Sequence, residues 1–143
     1  MFTYTNDNKR YHTLNYFLRT KFHQKVFKVS LNANLSCPNQ KNGHGCIFCS
    51  HQSGDFAGNA KDDLKTQFEM VKTNLSKKWP VASYIAYFQA GTNTYAPLNV
   101  LKHNFETVLT IPHVVGLSIA TRSDAITKEV YDYLSELNQR TFL

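Results

Sequence analysis

The order of apolar patterns in this 143-residue chain predicts an α/β fold built on a parallel sheet. Two observations carry that prediction. Short β-rich runs alternate with longer segments of helical periodicity, and such alternation implies parallel pairing through crossover connections. The loops after the three runs also hold the unusual residues of the chain, where parallel α/β folds gather their ligands.

Taken in order, Leu14, Phe17 and Leu18 recur at helical spacing in a basic setting and predict a short amphipathic helix over about 11–20. Val26, Phe27, Val29 and Leu31 form the first strand, which passes through Asn32 to Asn34 into a loop with all three cysteines. Leu64, Phe68, Val71 and Leu75 mark a helix, with Asp62 and Asp63 in its first turn, where carboxylates suit the dipole. The run Tyr84 to Phe88 is too short and aromatic for a helix and predicts the second strand. Pro97 suits a first helical turn, with Leu98, Leu101, Phe105 and Val108 as the stripe behind it, and Pro112 ends that helix. Val114 to Ile119 predicts the third strand, and Val130, Leu134 and Leu137 a last helix from about Thr127 to Asn138.

Composition narrows the function. The chain is 42% hydrophobic and 13% aromatic, as in ordinary globular proteins, with no repeat or low-complexity linker. No stretch approaches the roughly 18 apolar residues of a membrane span, and the polar amino end is no secretion signal, so a cytoplasmic protein without membrane partners is expected. Sixteen basic residues against ten acidic give a net charge of +6, which favours anionic partners such as RNA, although the cations are scattered. There is no serine–histidine–acid set and no Walker-type glycine loop, which argues against hydrolase and kinase chemistry. Asp55 reads as a loop cap or turn residue.

Cys37, Cys46 and Cys49 are separated by eight and then two residues. An odd count in a reducing compartment favours metal binding over disulfides. Three thiolates can hold a metal centre and leave one coordination position open. A zinc site would need His44 or His51 as a fourth ligand, yet zinc ligands usually arrive as two close pairs, and here one pair faces a lone cysteine. An iron–sulfur cluster would have one iron without a cysteine. Three unrelated buried cysteines are the plain alternative.

Gln89 to Tyr95 follow the second strand and Ala120 to Asp124 the third. Gly91 permits close backbone approach, while Gln89, Thr92 and Asn93 offer polar contacts, unless these residues only make a turn. Thr121 and Arg122 stand past the third strand, where a guanidinium can pair with a carboxylate or phosphate or stay solvated.

Collinear segments from Arg10 to Leu143 resemble the amino-terminal part of radical S-adenosylmethionine (SAM) proteins of the YhcC/YtqA-like group. They include Arg10-Tyr11-His12-Thr13-Leu14-Asn15, Cys37-Pro38-Asn39, Gly45-Cys46-Ile47-Phe48-Cys49, Ser53 to Gly58, Tyr87-Phe88-Gln89-Ala90, Thr92 to Pro97 and Thr121-Arg122. The resemblance implies the amino-terminal half of a partial (β/α)6 TIM-like barrel, with residues 1–22 as an extension bearing a short helix and 23–143 as an incomplete radical SAM core. It also implies that Cys37, Cys46 and Cys49 hold a [4Fe-4S] cluster whose fourth iron is chelated by SAM. Reduction then yields methionine and a 5'-deoxyadenosyl radical that abstracts hydrogen from a substrate. Phe48 would lie near the adenine; Gln89, Gly91, Thr92, Asn93, Thr121 and Arg122 would contact SAM. A flavodoxin-like or ferredoxin-like electron donor is implied, and related elongator-type proteins make transfer RNA a candidate substrate. The group tends to have Gly-Gly before the second cysteine, an aromatic residue where Gly91 stands, and Gly-Thr-Arg-Pro-Asp where this chain has Ala120-Thr121-Arg122-Ser123-Asp124. Its members run to about twice this length. The chain therefore reads as truncated, with Arg140 to Leu143 leading into a fourth strand.

Overall fold

A computed structural model describes residues 7–47, 49 and 57–143. Three parallel strands, β1 (Val26–Leu31), β2 (Ser83–Phe88) and β3 (Val114–Ile119), lie side by side in chain order, in a sheet that does not close. Val29 pairs with Ala86, and Ala86 with Leu117. The helices are α1 (Leu14–Phe22), a single turn α2 (Pro38–Lys41), α3 (Leu64–Ser76), α4 (Leu98–Leu109) and α5 (Lys128–Arg140). None among the described residues is long and apolar enough to cross a membrane.

The period-two alternation of the strands sends Val29, Leu31, Ala86, Phe88 and Leu117 to one face, where they meet Phe68 of α3, Leu101 and Phe105 of α4, and Val130 and Leu137 of α5. Phe105 stacks on Tyr133 and meets Phe88 edge-on at 4.9 Å. The opposite face is thinner. Val26 and Ile85 pack there with Leu18 and Phe22 of α1. Only Leu18 of the predicted α1 stripe is buried; Leu14 is 54% exposed and Phe17 borders solvent.

Several boundaries differ from expectation for local reasons. Asp63 is the N-cap of α3 and not part of its first turn, its carboxylate accepting from the N–H groups of Lys65 and Thr66 at 3.0 Å. Pro97 likewise stands one position ahead, as the N-cap of α4. Between Tyr84 and Ile85 the β2–β3 register slips, leaving Val115 as the extra residue, turned to the second cluster.

The outer edge of β3 is partly covered by the carboxyl-terminal residues. Phe142 forms an isolated parallel bridge with Gly116, and its carbonyl accepts from the Leu117 N–H at 2.7 Å. A Cβ at Gly116 would stand 2.3 Å from that carbonyl oxygen, so only glycine admits this approach.

Candidate functional site

The carboxyl ends of the three strands converge on one cavity of about 260 Å³. Cys37, Cys46 and Cys49 line it on the loop side, with Gln40 beside them. Gln89, Gly91 and Thr92 from the loop after β2 and Arg122 from the loop after β3 form the rest of the wall. Residues far apart in the chain are thus brought together by strand order alone.

Backbone bonds at the strand ends set this arrangement. Gln89 donates its N–H to Leu31 at 3.1 Å and Ala120 its N–H to Phe88 at 2.9 Å, carrying the ladder into the loops. Gly91 has φ of +75°, and a Cβ there would stand 2.2 Å from the Leu35 carbonyl oxygen. Its lack of a side chain lets the β2 loop touch the cysteine loop. The Thr92 N–H then reaches the Ser36 carbonyl at 3.4 Å, next to Cys37.

Asn93 and Thr94 tie the second loop to the third. Asn93 is fully buried, its Nδ2 3.1 Å from the carbonyl oxygens of Phe88, Ala90 and Ala120. Its Oδ1 is buried without a partner. The Thr94 hydroxyl donates to the Ala125 carbonyl at 2.7 Å and also meets the Thr121 hydroxyl. Asn93 and Thr121 therefore stand behind or beside the cavity and do not line it. Phe48, His51 and Asp55 lie outside the described residues.

All three cysteines are free thiols, Cys37 and Cys46 half-buried and Cys49 exposed. The Cys37 thiol is held below its ordinary value, chiefly by a hydrogen bond from the Thr92 hydroxyl. Bonds from the Asn39 and Gln40 N–H groups and the charge of Arg122 act in the same direction, while burial opposes them. Asn39 donates from Nδ2 to the Cys46 sulfur at 3.0 Å. Arg122 grips Asp124 through two bonds of 2.8 and 2.7 Å, which raises its own pKa and lowers that of Asp124.

The donor chemistry suits a thiolate-ligated metal centre: three cysteines line one cavity, and hydrogen-bond donors are directed at the sulfurs of two of them. Among the described residues no three Cys, His, Asp or Glu side chains are already drawn together closely enough to grip an ion. His44 is exposed and off the cavity wall. Sequence reasoning missed two elements of the site. The turn α2 has Pro38 at its first position and Cys37 as its N-cap, a signal legible in Cys37-Pro38. The 3-10 turn Ser123–Ala125, which seats Arg122, carries no comparable signal.

Several curated proteins are similar to this chain in sequence. The chain is 56% identical over 146 residues to the uncharacterized protein YtqA of Bacillus subtilis (strain 168), covering 99% of this chain and 45% of the relative. It is 42% identical over 123 residues to the uncharacterized protein MJ0486 of Methanocaldococcus jannaschii, covering 84% of this chain and 38% of that protein. YhcC of Escherichia coli (strain K12) is 32% identical over 129 residues, 87% of this chain and 40% of its own length. No family model and no solved structure matches the chain. The chain spans less than half the length of the relatives it matches, and the similarity to YtqA extends across its cysteine loop and all three strands.

Proposed function

We propose that this chain is the amino-terminal part of a radical SAM enzyme, with Cys37, Cys46 and Cys49 as ligands of a [4Fe-4S] cluster. One observation carries the reading. The three cysteines share a single cavity with Gln89, Gly91, Thr92 and Arg122, at the end of a parallel sheet where such folds bind ligands. The bound group supplies one-electron cleavage of a carbon–sulfur bond in SAM and the radical that abstracts hydrogen.

The chain's own residues place and tune that group. The Thr92 hydroxyl lowers the Cys37 thiol from its ordinary value and so favours the thiolate that a metal–sulfur bond requires. Asn39 donates to Cys46, and hydrogen bonds to ligating sulfurs help set a cluster's potential. Gly91 leaves backbone exposed at the cavity wall for a polar cosubstrate. Arg122, held in place by Asp124, puts a guanidinium at the cavity wall that can exchange its partner for a cosubstrate carboxylate.

The same reading takes the open three-stranded sheet as the first half of a partial (β/α)6 barrel, with Phe142 beside β3 as the approach to a further strand. It also assigns a cytoplasmic location, a flavodoxin-like or ferredoxin-like electron donor and, from the +6 charge, RNA as a substrate class.

Anaerobic loading with iron and sulfide tests it. We expect about four irons per chain, visible absorption from thiolate-bound iron, and an electron paramagnetic resonance signal that changes when SAM is added. Cys37→Ala removes the cluster. A protein that takes up only zinc, about one ion per chain, overturns the reading.

A further inference from the structure

We propose that Gln67 is a positioning residue that sets the cysteine loop by clasping both of its ends to α3. Gln67 lies on the buried side of α3, where its neighbours Leu64, Phe68, Val71 and Leu75 are all apolar, and it is only 2% exposed. Its amide is fully used. Oε1 accepts from the Asn32 N–H at 2.9 Å, while Nε2 donates to the Asn32 carbonyl at 3.0 Å and the Asp62 carbonyl at 2.8 Å.

Asn32 is the first residue after β1, and Asp62 stands two positions before α3. Every cysteine lies between them. One side chain therefore closes the loop at its base, offsetting entropy that a long connection would otherwise keep. An apolar residue would bury more favourably at this point of the helix, and the glutamine is tolerated because all its bonds are satisfied.

A second residue is shaped around the clasp. A Cβ on Gly58 would stand 2.1 Å from the Gln67 Oε1 and 2.6 Å from its Cδ, so the backbone at 58 packs directly on the amide. From the Asn32 anchor the chain runs to Leu35 and Ser36, which touch Gly91 and Thr92, and so delivers Cys37 to the Thr92 hydroxyl. Losing the clasp frees the approach of Cys37 while leaving the sheet intact.

The role in cofactor binding rests on the cluster reading; the clasp does not, and it is tested first on reduced, metal-free protein. Hydrogen exchange at the Lys41 and Asn42 amides, which donate to Cys37 and Pro38 carbonyls, reports on the loop. In Gln67→Leu these amides exchange about tenfold faster than in the parent, while β2 amides keep their rates. Unchanged loop exchange, or equal acceleration throughout the sheet, overturns the proposal. Gly58→Ala produces the same local acceleration in the parent but adds little in Gln67→Leu, because both strike one contact; full additivity also overturns it. After anaerobic iron and sulfide loading, Gln67→Leu retains less than half of the parent's cluster. Equal retention removes the positioning role. A parent that binds no cluster, with the exchange pattern as expected, overturns the cluster reading and leaves the clasp standing.

Discussion

The helix-backed side of the sheet and the loops at its carboxyl end are buried to the same depth by opposite means. Behind the sheet, Val29, Phe68, Phe88, Phe105 and Leu137 exclude water with apolar surface alone. At the strand ends, Thr92, Asn93 and Thr94 are just as hidden, yet each is held by directed bonds to a neighbouring loop. Hydrophobic burial is non-directional and forgives small displacements, whereas a buried hydrogen bond fixes an atom in place and is costly to leave unmade. The core therefore sets whether the protein folds, and the loops set where the cysteines stand.

The strongest way to break that division is through Phe105, which is fully buried against Phe88 and Tyr133. Phe105→Ala should cost about 3–5 kcal/mol in urea denaturation. Sheet and cysteine site should be lost in one transition; a cavity that outlives the core would refute the dependence of one region on the other.

Asn93→Leu asks the complementary question. It removes the side-chain donor shared by the carbonyls of Phe88, Ala90 and Ala120, of which Phe88 and Ala120 keep backbone N–H partners, and should cost about 1–3 kcal/mol. Val108→Ala, a core truncation on α4, supplies a stability-matched control. Thiol reactivity at Cys37 should change in Asn93→Leu and stay constant in Val108→Ala. Equal change in both would mean that the loops have no geometry of their own.

The same division explains what was legible in the sequence. The three strands emerged because β-rich runs and helical periodicity are written locally, and Val114–Ile119 is found where its pattern placed it. Cys37, Gln89, Gly91, Thr92 and Arg122 reach one cavity because parallel strand order dictates which loops meet. The role of Asn93 was hidden, since one amide serves a turn, a ligand or a tie between loops, and only three-dimensional contact decides. Leu14 and Phe17 misled for the opposite reason. Their spacing is helical, but burial depends on what the face meets, and at Leu14 it meets solvent.

Thr92→Val isolates one bond of the polar region at nearly constant shape. With the hydroxyl gone, the largest influence holding Cys37 below its ordinary value disappears, and its pKa should rise. The pH midpoint for alkylation of Cys37 therefore moves upward, while stability near neutral pH changes by about 1 kcal/mol or less. In the parent the thiolate's contribution is present above the ordinary thiol range and lost as pH falls through the lowered value. An alkylation profile that does not move would remove Thr92 from any part in activating the sulfur.

The smallest effect belongs at the rim of the core, where polar contacts neither fill space nor aim a reactive atom. Glu106 of α4 accepts from the Tyr133 hydroxyl at 3.0 Å and from Arg140 of α5, joining the two helices. Arg140 first, and Tyr133 after it, hold the Glu106 carboxyl below its usual range, while burial and the Glu106 contact push the Tyr133 phenol up to about 12. A depressed carboxyl adds stability above its unfolded value and loses it as pH falls through the folded one. Side-chain exposures of 43% for Arg140 and 44% for Glu106 leave the pair screened by water, so Glu106→Gln should cost only about 0.2–1 kcal/mol at neutral pH. The difference in thermal midpoint between parent and variant should shrink toward acid, because both then carry a neutral group at 106. A gap that widened with falling pH would give Glu106 a role in acid that an exposed ion pair between two helices cannot have.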